Sequence, residues 1–366
     1  MRRIGVLMNV AADDQGRARI AALLQGLQQS GWTDGRNVRI EIRRRDAARI
    51  HQYAAELIAL APDVKTQWRS DGAFGNVSAL REAGMLRFGL LGIATLLATT
   101  SLTQAQTPVQ RGSYLVNGLL TCGNCHTPRG PGGVFAMDIQ LSGGPQEWDR
   151  PTYKVRGANI TPDRETGIGS WTEADIKRAV TAGTRPNGTS LAPIMPYDFY
   201  KVFTTSDLDA VVAYVRSVAP VSNKVQTPVY KAAMHGDIPP GAEKQMTAAD
   251  LDTPVKRGFY VATIAHCMEC HTPMVNDRHD FVNDLGKGGE EFRGPFGVSV
   301  SRNITSHKEK GIGAWTDAEI KGAITRGERK DGTKLKPPMG FALYATMTDG
   351  DLNDLIAYLR TVPAKE

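Results

Sequence analysis

Charge of one sign, long apolar runs and cysteine are all scarce in this chain of 366 residues. From residue 106 onward, 30 Lys and Arg face 29 Asp and Glu. No basic stripe with interleaved aromatics occurs there, which removes nucleic acid as a partner. The formal charge of +6 is mostly carried by residues 1–84, where 13 basic side chains meet 9 acidic ones. The apolar run 88–102 counts 15 residues, short of the roughly 17–25 that a spanning helix needs. Gly167-Ile-Gly169 and Gly311-Ile-Gly313 neither follow a strand nor complete a dinucleotide fingerprint, so they read as loop turns. Only four cysteines are present, and their placement is the most informative feature of the chain.

All four lie in two copies of Cys-x-x-Cys-His, at 122–126 and 267–271. On a helix, residues i and i+3 share a face, so both thiols of one copy can form thioethers to a single haem. The histidine at i+4 then lies under the ring and can ligate the iron. A four-thiolate zinc site would set its pairs about 12–20 residues apart, whereas Cys125 and Cys267 are 142 apart. A thioredoxin-like dithiol wants a βαβ setting, and the flanks here read as helices and glycine-rich loops. Two covalently bound haem c groups are therefore expected.

The chain also repeats itself. Asn159-Ile-Thr recurs at Asn303, Gly167-Ile-Gly-x-Trp-Thr at Gly311, Asp207-Leu208 at Asp351-Leu352, and Ala213-Tyr214 at Ala357-Tyr358, each offset by 144. Aligned without a gap, 159–218 and 303–362 agree at 29 of 60 positions, a tandem duplication of one small domain. The cysteines are offset by 145, so one residue was gained or lost in between. Among 11 methionines, only Met195 and Met339 are repeat mates, falling 69 and 68 residues after His126 and His271. Both sit on proline-flanked loops that cannot be helix interior, and methionine is a sixth ligand that raises haem potential. His51, His235, His266, His279 and His307 have no repeat partner. His266 and His279 flank the second motif and are the weaker ligand candidates.

Thr172-Glu-Ala-Asp175 and Thr316-Asp-Ala-Glu319 are N-cap signatures. Leu208, Val211, Val212 and Val215 trace a helical stripe, as do Leu352, Leu355, Ile356 and Leu359. Each repeat thus reads as a motif-bearing helix, a Gly/Pro-rich loop, a short capped helix, a methionine loop and a closing helix. The glycine runs 130–133 and 286–289 are expected beside the haem. Trp171 and Trp315 suit either the haem edge or the core.

Arg-Gly-x-Tyr before each motif, His-Thr-Pro after it, and the series Asn-Ile-Thr, Gly-Ile-Gly-x-Trp-Thr, Pro-x-Met and Asp-Leu-x-x-x-x-Ala-Tyr resemble class I dihaem cytochromes c. The resemblance covers about 108–364. It is closest to the cytochrome subunits that serve membrane-associated alcohol and gluconate dehydrogenases or bacterial molybdenum hydroxylases. It implies a mainly α fold of two tandem class I cytochrome c domains, 106–220 and 255–366, joined by a linker at 221–254. It further implies covalent haem at Cys122, Cys125, Cys267 and Cys270, proximal His126 and His271, and distal Met195 and Met339. Subunits of this type commonly carry three haems against two motifs here, which leaves the partner enzyme open.

Residues 85–105 read as a secretory signal, with Arg87, the apolar stretch 88–102 and Thr103-Gln-Ala105 as a cleavage site. Its shortness favours cleavage over anchoring. The expected location is the periplasm, with membrane association only through partners or an uncleaved signal. Ahead of it, strands at 2–8 and 38–43 and helices at 17–30 and 47–61 resemble the start of a periplasmic substrate-binding protein of an ABC transporter. That βαβα pattern stops at Asp63-Val64, and 65–84 read as linker. So incomplete an α/β segment cannot cover its own sheet. A gene fusion or misplaced start is expected, with the functional product beginning at Met85.

The function expected is one-electron transfer from a dehydrogenase of molybdenum, quinoprotein or flavin type to a cytochrome or oxidase, with no catalysis by the chain itself. The alternative is a dihaem redox enzyme. A peroxidase needs an open sixth position, and a thiosulfate dehydrogenase needs a further cysteine ligand. The repeat instead supplies Met195 and Met339 symmetrically, with no cysteine to spare.

Overall fold

In the computed structural model the described residues are 2–8, 38–44, 64–68 and 74–76, then 106–366 without 131, 132, 235, 277 and 295. The helices expected at 17–30 and 47–61 and the signal segment lie outside them, as do His51 and His235. The chain separates into two units, Met1–Thr100 and Ser101–Glu366.

In the first unit, β1 (Arg2–Met8), β2 (Val38–Arg44), β3 (Val64–Trp68) and β4 (Phe74–Asn76) form one sheet in the order β2-β1-β3-β4. β1 runs parallel to both neighbours, with Ile4 opposite Ile40 on one side and Val64 on the other. Strand pairing therefore does not stop at Asp63-Val64. The stretch read as linker contributes β3 to the other edge of β1 and an antiparallel β4 beyond it. Val64, Thr66 and Trp68 supply the alternation that suits a pleated strand.

The second unit opens with α1 (Pro108–Tyr114), which a Thr107–Gln110 capping box starts and a π turn over Leu115–Leu119 extends. The motif helix α2 (Cys122–His126) follows directly. A hairpin, β5 (Glu147–Asp149) and β6 (Tyr153–Arg156), leads to α3 (Glu173–Ala182) and α4 (Thr205–Ser217). The strand β7 (Val229–Tyr230) adds to β6. The second repeat runs through α5 (Pro254–Ile264), the motif helix α6 (Cys267–His271), small hairpins β8 (Met274–Val275)–β9 (Arg278–His279) and β10 (Glu291–Gly294)–β11 (Gly297–Val300), then α7 (Asp317–Arg326), α8 (Phe341–Tyr344) and α9 (Asp349–Leu359). Both Thr172 and Thr316 close full capping boxes, Asp175 doing for α3 what Glu319 does for α7.

α1 crosses α4 and α5 crosses α9, burying the two apolar stripes. Each fully buried Leu or Ile contributes about 1.5–3 kcal/mol. The glycines of Arg-Gly-x-Tyr sit at these crossings. A Cβ on Gly112 would lie 1.9 Å from the Ala210 carbonyl oxygen, and one on Gly258 1.8 Å from that of Asp354. We expect Gly258→Ala to force α5 off α9 and destabilise the protein by about 1–3 kcal/mol. A denaturant midpoint equal to wild type would contradict that close approach.

The repeats share one continuous apolar core from Leu115 to Val362. A 3-10 turn at Phe199–Val202 in the first repeat packs on α5 of the second, and α8 of the second packs on Leu115–Leu119 of the first. The stretch expected as a linker at 221–254 is likewise bound down. Asn159 Nδ2 donates to Val221 O at 2.8 Å, Asn223 Nδ2 to Ser142 O at 2.8 Å, and Met246 N to Val202 O at 3.0 Å.

Candidate functional site

Thr121 (φ +48°) and His266 (φ +42°) stand immediately before the two motif helices in the left-handed conformation. The chain turns there from the preceding helix into α2 or α6, an uncommon conformation for a residue with a side chain. The four cysteines are free and half-buried. Burial pushes all four thiols up, those of Cys122, Cys125 and Cys267 to about 12. Among the described residues no cluster of three or more His, Cys, Asp or Glu is disposed to hold a metal ion.

Both motif histidines are oriented the same way. Nδ1 of His126 lies 2.7 Å from Ala158 O, and Nδ1 of His271 lies 2.6 Å from Arg302 O. A carbonyl can only accept, so Nδ1 carries the proton and Nε2 keeps its lone pair. Burial lowers both imidazole pKa values, against the raising effect of these bonds, and so favours the neutral ring. The accepting carbonyls immediately precede the repeated Asn-Ile-Thr. Asn159 Oδ1 accepts from Thr161 N at 3.0 Å, and Asn303 Oδ1 from Thr305 N at 2.9 Å. Their amides reach across to Val221 O and Lys365 O, both at 2.8 Å. The repeated tripeptide thus fixes the backbone that aims each histidine.

The motif helices are also held from behind. Gly143 N donates to His126 O at 2.8 Å and Gly288 N to His271 O at 2.7 Å. The 286–289 run therefore backs the helix and is not part of the cavity wall as expected from sequence, and neither Gly130 nor Gly133 lines it. Glycine is required at Gly288, where φ is +77° and a Cβ would meet Arg302 C at 2.5 Å.

One cavity of about 1480 Å3 is bordered by both motifs, and Met195 and Met339 line it together with Trp171 and Trp315. Each methionine loop is tied to the end of the preceding helix, Leu191 N to Gly183 O at 2.6 Å and Leu335 N to Gly327 O at 2.8 Å. All eight residues singled out from the sequence thus face one space. His266 and His279 also line it but have protein neighbours. Nδ1 of His266 is 2.8 Å from Glu269 Oε2, and His279 stacks on Phe281 at 5.2 Å. His307 instead accepts two backbone N–H groups in a turn.

The cytochrome c family model matches residues 255–363, the second repeat. The fructose dehydrogenase cytochrome subunit of Gluconobacter japonicus is 30% identical over 275 residues, covering 70% of this chain and 53% of that protein. The alcohol dehydrogenase (quinone) cytochrome c subunit of Gluconacetobacter polyoxogenes is 31% identical over 291 residues, covering 74% and 60%. A diheme cytochrome c-type protein of Cereibacter sphaeroides is 28% identical over 260 residues, covering 67% and 83%.

The chain is a c-type cytochrome.

This cytochrome spans about half to three-fifths of the length of the two dehydrogenase subunits it matches. Its residues fit covalent haem c, since thiol pairs, imidazoles with a free Nε2 and thioethers all line one largely apolar cavity. Among the described residues no helix is long and apolar enough to cross a membrane.

Proposed function

We propose that this cytochrome is a dihaem electron carrier built from two tandem class I domains, 106–220 and 255–366. In this reading Cys122, Cys125 and His126 with Met195 hold one haem, and Cys267, Cys270 and His271 with Met339 hold the other. The observation that carries the reading is the repeated histidine geometry. Nδ1 bonds a backbone carbonyl at 2.7 Å in one repeat and 2.6 Å in the other, on the wall of a cavity that both methionines line.

Haem held by these residues would supply outer-sphere one-electron exchange. The protein's part is placement. The cysteine pairs would fix the group to the motif helices, the Ala158 and Arg302 carbonyls hold each imidazole in one tautomer, and Met195 and Met339 would supply the thioether ligands. Two sites on one cavity wall favour exchange within the chain. The donor we infer is a dehydrogenase, because relatives are named as cytochrome subunits of fructose and alcohol dehydrogenases. The acceptor would be a further cytochrome or oxidase, and the setting the periplasm, reached through the segment 85–105.

The purified protein should weigh its polypeptide plus two haems. Its reduced spectrum should be low-spin at both sites, with no turnover of peroxide or thiosulfate. A resting high-spin haem with peroxide turnover would replace the carrier with the dihaem enzyme, and a colourless protein would remove both.

A further inference from the structure

Downstream of each methionine the chain is fastened to the opposite repeat. After Met195 it forms the turn Phe199–Val202 on α5, then enters α4 through the N-cap Thr204. Asp207, in the first turn of α4 and 6% exposed, accepts the Tyr260 hydroxyl of the second repeat at 2.8 Å. Thr204 N donates to that same hydroxyl at 3.4 Å. After Met339 the chain forms α8 on Leu115–Leu119 of the first repeat, then enters α9 through Thr348. Asp351 accepts the Tyr114 hydroxyl of the first repeat, and Thr348 N donates to it at 3.1 Å.

Tyr114 and Tyr260 hold the same place in Arg-Gly-x-Tyr, and Thr204 and Thr348, like Asp207 and Asp351, are repeat mates. One clamp is therefore used twice, with the partners exchanged. Neighbouring contacts cross in the same sense. The Phe199 ring meets Phe281 edge-on at 6.0 Å, and a Cβ on Gly340, next to Met339, would touch Thr121 Cγ2 at 3.5 Å. Burial and the adjacent carboxylates push both phenols up, Tyr114 to about 12, so both remain protonated donors.

We propose that Tyr260 positions Met195 and Tyr114 positions Met339, each tyrosine serving the site of the opposite repeat. The inference rests on the reading of these methionines as distal ligands. From each methionine to the clamped threonine N-cap is nine residues, 195 to 204 and 339 to 348. The near end of each loop is tied at Gly183 or Gly327, so the clamp restrains the far end of a short tether. Releasing it restores freedom to the segment that must present the sulfur. Tyr114 stands only eight residues before Cys122, so proximity in sequence would assign its effect to the wrong haem.

The test uses the full-length holoprotein in two backgrounds. Met339→His leaves Met195 as the sole methionine ligand, so the near-infrared methionine–iron band reports the first site alone, and Met195→His does the reverse. Followed by denaturant titration of that band, Tyr260→Phe should shift the first site about tenfold toward the methionine-free form, the scale of one lost bond to a charged group. It should leave the second site within about twofold, below the scale of such a bond. Tyr114→Phe should do the mirror image. Asp207→Asn, which weakens the same bond from its other end and also loosens the Arg111 pair, should shift the first site at least as far as Tyr260→Phe and stands in for it should that variant not fold. An effect on each tyrosine's own repeat, or an equal effect on both sites, overturns the crossed assignment. Fewer than two haems per chain, or no methionine band in the two backgrounds, instead sinks the dihaem reading before any tyrosine is changed.

Discussion

Under the proposed dihaem assignment, Met339→Ala should turn one haem from low-spin to high-spin and lower its potential by a few tenths of a volt, within the roughly 0.8 V range that axial ligands command. Methionine favours the reduced iron, and removing it withdraws that preference. Alanine offers no sulfur where Met339 lines the cavity, so the haem that His271 would hold should become open to water or peroxide. Nε2 of His271 should stay in place, because its ring is fixed through Nδ1 to Arg302 O at 2.6 Å. The other haem should keep its spectrum, since Met195 hangs from a separate loop tied to Gly183. Resting absorption and a redox titration read the outcome, and slow peroxide turnover should be gained. Two unchanged low-spin haems would mean that Met339 is not a ligand.

Asp207→Ala carries the largest stability penalty we expect, about 3 kcal/mol or more. Its carboxylate accepts Arg111 through two bonds of 2.8 and 2.9 Å as well as the Tyr260 hydroxyl. The Arg111 side chain is 30% exposed and that of Asp207 only 9%. Truncation leaves a largely covered guanidinium without its counter-charge and a buried phenol without its acceptor. Arg111 sits on α1 and Tyr260 on α5, so one lesion loosens the α1–α4 crossing and the contact between repeats together. Chemical denaturation measures the effect. A loss under about 1 kcal/mol would show that solvent already screens the pair.

What could be read from the sequence was what repeats or lies close along the chain. The motif spacing, the offset of 144 and the two helical stripes need no knowledge of distant contacts, and duplication singled out Met195 and Met339, which the structure places on the cavity wall. The partners of the histidines were hidden, since Ala158 and Arg302 act through main-chain oxygens that any residue carries. Asn159-Ile-Thr and Asn303-Ile-Thr, one residue beyond, were the available signal. The tyrosine clamps were hidden for another reason. Tyr114 and Asp351 are 237 positions apart, and a single sequence ranks no such pair above its competitors. The hairpins β5–β6 and β10–β11 were missed because three- and four-residue strands give too little alternation to stand out from a glycine-rich loop.

The stretch 221–254 has a consequence for how such a molecule can be partitioned. Val221 and Asn223 are fastened to the first repeat, while Asp237 bonds Arg278 and the His279 amide in the second. The polypeptide link between the halves is thus redundant with the bonds that already bridge them. A gene broken near the exposed Glu243-Lys244 would yield two products that still recognise each other, a heterodimer in place of a duplication.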